Sequence, residues 1–168
     1  MSTIFISHLS PIANQTTTTI AFAQPANMSH NLNVRVYQTN TNAHFKIVEK
    51  AVFYKNNGGF WSESDGVLTL TVNPDNTSGM LRFQTQNGKE PFTVLVGMFQ
   101  QKVWLHILPN IASGDTCVKL LPQYYDNGPL SKVDLVQAFE AQNNNRRNLA
   151  VAVKRSEGQS YDVDIIIG

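Results

Sequence analysis

The sequence predicts an α+β domain: a two-sheet antiparallel β-sandwich that carries a helical pair in one long connection. Three features lead there. From Asn33 onward, apolar residues alternate with polar ones or cluster in runs of strand length, each closed by Asn, Gly, Pro or Asp. Between Asn110 and Asn145 that period gives way to helical spacing. The closing stretch then returns to strand pattern, which places helix and strand in separate parts of one chain.

In chain order, the expected strands are 33–38, 45–54, 66–72, 80–85, 92–99 and 102–108, followed by 149–155 and 161–167 after the connection. Gln86-Asn87-Gly88-Lys89 marks a hairpin, because Asn-Gly readily takes the positive φ values of a type I′ turn. Within 131–142, Val133, Val136 and Phe139 recur at helical spacing beside Leu135, while Asp134, Gln137 and Glu140 lie elsewhere on the wheel. Ser131 is the expected N-cap and the Asn run at 143–145 the stop. A shorter helical turn is expected around 115–121, ending at Pro122.

A chain of 168 residues buries one substantial core. Residues 31–168 are read as that domain, and residues 1–30, with a Thr run and no sustained period, as a loosely ordered extension. Thirteen Lys and Arg oppose twelve Asp and Glu, so the formal charge of +1 gives no field for steering onto nucleic acid or acidic lipid. The polar surface comes from neutral Asn, Gln, Ser and Thr, which exchange hydrogen bonds with groups such as sugar hydroxyls. Cys117, the single cysteine, allows no intrachain disulfide and reads as a small buried residue. The first residues lack a basic segment and a continuous apolar run, so the expected location is the cytoplasm.

Catalytic patterns are missing from the sequence. The four histidines, His8, His30, His44 and His106, do not fall at metal-ligand spacing, and no nucleophile elbow, phosphate loop or dinucleotide fingerprint occurs. The carboxylate pairs Glu63/Asp65 and Asp162/Asp164 have the residue type a glycosidase needs. Spacing of two on a strand puts both on one face, where solvated surface charge is the simpler reading. No enzyme, metal or cofactor is expected.

Several local words, taken in order, resemble one family. They are Asn-Val-Arg-Val-Tyr-Gln-Thr at 33–39, Tyr54 with Asn57-Gly58-Gly59 and Trp61, and Thr77-Ser78-Gly79 before Leu81-Arg82-Phe83. Lys102 with Trp104, Tyr124-Tyr125, Arg146-Arg147, Glu157-Gly158 and the final Ile-Ile-Gly complete the set. Together they resemble the fungal fruit-body lectins across about residues 33–168. The resemblance implies a sandwich joined by a helix-loop-helix, similar to the actinoporin toxins, assembled as a homo-oligomer, a dimer or tetramer. It further implies glycan partners: Galβ1-3GalNAc at one metal-free site and N-acetylglucosamine at a second.

Carried onto this sequence, the first site falls on Lys55, Asn56 and Asn57 beside Gly58-Gly59, on Asp75 and Asn76, and on Gln100 next to Phe99. From the residues alone, 54–61 reads as an ordinary turn with a buried Trp61, and 73–79 as a turn that Asp75 caps. The second site falls on His106, Ile107, Pro109, Ser131 and Phe139. Only Ile107 keeps the family's residue, so little hydrogen-bonding capacity for N-acetylglucosamine remains. An actinoporin-like pore former and a non-binding storage protein are the rival functions. Residues 1–30 lack Lys and Arg and contain Pro11 and Pro25, so no membrane insertion is expected of them.

Overall fold

The computed structural model describes residues 29–53, 58–73 and 76–168. The expected extension therefore lies outside the described residues except for Ser29 and His30, the latter opening strand β1 (His30–Gln38). The remaining strands are β2 (Phe45–Phe53), β3 (Gly59–Ser64), β4 (Val67–Val72), β5 (Thr77–Thr85), β6 (Phe92–Phe99) and β7 (Lys102–Leu108). After the connection come β8 (Ala138–Gln142), β9 (Asn148–Glu157) and β10 (Ser160–Ile167).

The strands form two sheets. One runs β3-β4-β1-β10-β9-β8 and the other β2-β5-β6-β7. Among the described strands every pairing is antiparallel except β1 with β10, which run parallel from Asn31 opposite Ser160 to Gln38 opposite Ile167. The inward residues of both sheets meet in one core: Leu32, Val34, Leu70 and Ile165 from the larger sheet pack with Phe83, Phe92, Val96 and Leu105 from the smaller. Phe83 and Phe92 stack, with ring centroids 4.9 Å apart.

The two sheets differ in what covers their outer faces. In β10 buried and half-buried residues alternate, because Ser160, Asp162, Asp164 and Ile166 face outward. In β6, Phe92 to Met98 are buried without interruption. That strand lies between the sandwich core and a second apolar cluster, in which Met80, Leu95 and Trp104 meet Cys117, Leu120, Leu121 and Tyr124 of the connection. The middle of the smaller sheet is thus covered on both faces, while its edge strand β2 stays partly exposed.

The connection is less helical than expected. Its helical part is α1 (Cys117–Leu120), continued by a 3-10 turn at Leu121–Tyr124. Thr116 caps α1 by accepting from the Lys119 N–H, and the Glu49 carboxylate accepts from the N–H groups of Cys117 and Val118. The helix expected over 131–142 does not form. Residues 131–132 are a turn and Val133 a bend, Val136 pairs with Leu105, and 138–142 is β8 on the edge of β9. The helical spacing of Val133, Val136 and Phe139 is overridden by pairing with β9, to which Phe139 and Ala141 fit as alternating residues of a strand. The Asn run makes the β8–β9 loop, where Asn143 Oδ1 accepts from the N–H groups of Asn145 and Arg147.

Two turns also correct the sequence reading. At 85–88 only Gly88 has positive φ (76°), and the Gly88 N–H donates to the Thr85 carbonyl while the Thr85 N–H donates to the Lys89 carbonyl. That is a type I turn closed by a left-handed glycine, not type I′. Type I′ geometry instead occurs at Asp65-Gly66 (φ 51° and 74°), joining β3 to β4. Strand β3, absent from the expected set, lay hidden in a stretch read as loop.

Candidate functional site

Strand pairing brings the first-site segments to one end of the molecule. Phe53, the last residue of β2, pairs with Ser78; Gly59, the first of β3, pairs with Val72; and Thr77 pairs with Met98. The segments 54–58, 73–76 and 100–101 therefore all leave the sheets at this end. Lys55, Asn56, Asn57 and Asp75 lie outside the described residues. Asn76 and Gln100 are described, and both hold left-handed backbone, with φ of 55° and 47°. Gln101 does the same at 62°, so Gln100-Gln101 forms a two-residue type I′ turn between Phe99 and Lys102 without a glycine. Left-handed backbone costs an L-residue on the order of 1–2 kcal/mol. Such outliers cluster at functional sites, where the surrounding structure holds them.

Close approach of the two sheets is built into the same region. A Cβ on Gly59 would lie 3.2 Å from Thr77 of the smaller sheet and 2.7 Å from the Thr71 carbonyl oxygen of neighbouring β4, and one on Gly79 would lie 2.6 Å from the Trp61 ring. Trp61 fills the space that Gly79 leaves, and its Nε1 donates to the Ala51 carbonyl at 3.0 Å. It is a packing residue at the base of the loops, which agrees with the sequence reading.

Beside Asn76 the outer face of the smaller sheet opens into a cavity of about 270 Å³. Phe99, Trp104, Tyr124 and Tyr125 form aromatic walls, and Leu130, Val133 and Leu135 of the connection close it. Asn76, Ser131 and Lys132 supply its polar lining. The tyrosine hydroxyls are engaged elsewhere: Tyr125 with Ser78 Oγ, and Tyr124 with His106 Nδ1 at 2.8 Å. Burial pushes both phenols above their ordinary pKa, so they stay neutral. The open clefts around Asn42, His44, Gln86 and Asn87 lie at the opposite end and hold none of the expected residues.

The second-site positions are distributed differently. Alternation along β7 sends Trp104 and His106 toward the connection and Ile107 into the sandwich core, where it is buried. The His106 ring packs 4.5 Å from Phe139 and 5.6 Å from Tyr124. Burial lowers the His106 pKa and favours the neutral imidazole. Ser131 lines the aromatic cavity instead. Of this set, the structure brings His106 and Phe139 into contact and points Ile107 away from them.

Comparison with known proteins fits this arrangement. A family model described as fungal fruit body lectin matches residues 28–165. The chain belongs to that family. The lectin of Boletus edulis is 43% identical over 103 residues, which is 61% of this chain and 71% of that protein. Two crystal structures of the Xerocomus chrysenteron lectin, a wild type and a mutant, superpose with a TM-score of 0.80 at 34% identity. They cover 84% of this chain and 99% or more of theirs. The chain is thus a fruit-body lectin with a mostly β, two-sheet fold.

The lectin family also frames the carboxylate pairs. Asp162 is tied to Arg155 (2.9 Å), Asn33 (3.3 Å) and Arg35 (3.6 Å), while Glu63 pairs with Lys50 at the surface. Burial opposes ionisation of Asp162, but those donors hold its pKa below the ordinary value. No cluster of three metal-ligating side chains occurs among the described residues. Sequence reasoning overlooked the cavity. The alternation of Trp104 and His106 with Val103, Leu105 and Ile107 was its available signal, since it leaves two rings on the face away from the core.

Proposed function

We propose that this lectin binds galactose-type glycans, Galβ1-3GalNAc-like, in a shallow metal-free site made by the loops around Lys55–Asn57, Asp75–Asn76 and Gln100, and catalyses no reaction. The observation that carries this reading is that the strand ends flanking those three loops emerge at one end of the molecule, where Asn76 and Gln100 both hold left-handed backbone. Fixed amides at loop ends suit sugar hydroxyls, which must exchange well-made bonds with water for bonds of equal quality. Asp75 adds a carboxylate, able to accept charge-assisted bonds.

A glycan array with wild type, Asp75→Ala and Asn76→Ala tests the proposal. Binding to terminal galactose-type glycans that weakens in both variants is expected; binding that neither variant alters would overturn the site assignment. For the second site we propose weak or no binding of N-acetylglucosamine, since His106 is engaged with Tyr124 and Ile107 is buried. Signal for that sugar that vanishes in His106→Ala would contradict it.

The reading extends to assembly. Weak single sites become useful when a symmetric homo-oligomer engages several glycans, which raises avidity by about 10²–10⁴. A dimer or tetramer acting in defence, stored in the cytoplasm until tissue is damaged, follows from it. Sedimentation together with haemagglutination tests the oligomer. The actinoporin likeness is retained for the sandwich without its helix-loop-helix, since the connection here carries α1 and a 3-10 turn.

A further inference from the structure

We propose that the aromatic cavity beside Asn76 is an aglycone subsite, which takes a ring-sized apolar group attached to the sugar held by the adjoining loops. The proposal rests on the lectin reading of those loops. Its physical basis is separate.

The first element is chemical. Phe99, Trp104, Tyr124 and Tyr125 line the cavity, while both tyrosine hydroxyls are bonded inside the protein, to His106 and Ser78. With those tips engaged, the aromatic walls offer water few hydrogen-bond partners, so an apolar ring that displaces water from this pocket gains from burying its surface. The second element is size. A dry cavity of about 150 Å³ already holds benzene, so about 270 Å³ admits a substituted ring. It is small for the paired tails of a membrane lipid.

The third element is position. Asn76 lines the cavity and belongs to a candidate sugar loop; Phe99 lines it and precedes Gln100. A sugar resting on Asn76 and Gln100 can therefore direct a substituent into the cavity. The polar lining, Asn76, Ser131 and Lys132, matches the polar junction between such a substituent and its sugar. Stacking of a ligand ring against Trp104 and Tyr125 would add offset or edge-on aromatic contacts. The occupant is an aryl group on a glycoside.

Calorimetric titration of the full chain with methyl β-galactoside and phenyl β-galactoside tests this. Burial of the phenyl ring should make the phenyl glycoside bind about tenfold or more tightly than the methyl glycoside. Leu135→Trp, at a wall residue 52% exposed, should fill the cavity and remove that advantage. A spectroscopic arm needs no filled cavity: Trp104 emission should shift with the phenyl glycoside and not with the methyl one, and Trp104→Phe should abolish the shift. Equal affinities for the two glycosides would overturn the subsite and leave the sugar site standing. Binding of neither would overturn both. A phenyl advantage that survives Leu135→Trp would place the ring elsewhere and end the proposal.

Discussion

Arg147→Ala is expected to cost this fold about 4 kcal/mol, and the structure shows why the figure is so large. The guanidinium lies at the end of the sandwich opposite the sugar loops, with its side chain 8% exposed. Its Nε donates to Glu90 Oε2 at 2.9 Å and Nη2 to Oε1 at 3.2 Å, a two-pronged pairing with a carboxylate 14% exposed. Nη1 donates to Asn42 Oδ1 and to the Gly168 carbonyl, and the group sits 4.9 Å from the centre of the Phe45 ring. One side chain thus ties together the β1–β2 loop, the β5–β6 loop, the β8–β9 loop and Gly168.

Truncation leaves the largely covered Glu90 carboxylate with no cationic partner, only the neutral side-chain donors Asn143 and Asn145. Removing one partner of a buried ion pair costs about 3–5 kcal/mol, chiefly because the other charge is stranded. Against a total stability of about 5–15 kcal/mol, that is a large share. Urea titration should show a lower midpoint with an unchanged slope. The double replacement Arg147→Met with Glu90→Leu should recover most of the loss, since no charge is then stranded. A loss under about 1 kcal/mol, the range of an exposed pair, would refute the reasoning.

Acid adds a second reading of the same pair. Hydrogen bonding from Arg147 holds the Glu90 pKa below the ordinary glutamate value, although burial pulls the other way and Asn143 assists. A depressed carboxylate stabilises fully above its unfolded pKa of about 4.3, and that contribution is lost as pH falls through the lower folded value. Wild type should lose this contribution below about pH 4.3, and Arg147→Ala should lack that part of the acid dependence.

Three further outcomes are expected. Gln101→Gly, relieving left-handed backbone at no cost in sugar contacts, should raise stability by up to about 1 kcal/mol in urea, whereas Gln100→Gly should stabilise similarly and weaken glycan binding. Gly79→Ala should destabilise by about 1–3 kcal/mol, because its Cβ would meet Trp61 at 2.6 Å and Leu70 at 2.8 Å; an unchanged urea midpoint would show that the sheets can part. Cys117, whose thiol pKa burial pushes up to about 12 with help from the Glu49 carboxylate, should resist a thiol reagent at pH near 8 until the protein unfolds.

How much of this was legible in the sequence depended on whether a local pattern had one solution. Strands such as 92–99 and 102–108 were read with their observed bounds, because a run closed by Gln-Gln or Pro has no competing helical fit. Residues 131–142 had two fits, and the vacancy at the edge of β9, which no local window records, chose the strand. Strand β3 is masked for the opposite reason: Gly58-Gly59 carries a loop signal at its start, and only Asp65-Gly66, a type I′ signal, marks the hairpin that closes it.

The candidate site shows the same limit from the functional side. Type I′ turns favour Gly, Asn and Asp, as at Asp65-Gly66 and Asp126-Asn127, yet one at Gln100-Gln101 has none of the three. A glycine there would have been easier for the backbone and would have carried no amide. If folding alone had shaped that turn, the cheaper residue would suffice, so the glutamine needs a reason outside local backbone energy. An amide at the edge of the sugar loops, next to an aromatic cavity that begins at Phe99, supplies one. The paired Gln100→Gly and Gln101→Gly measurements separate the two explanations, because only a binding role makes the first substitution costly to glycan affinity and the second not.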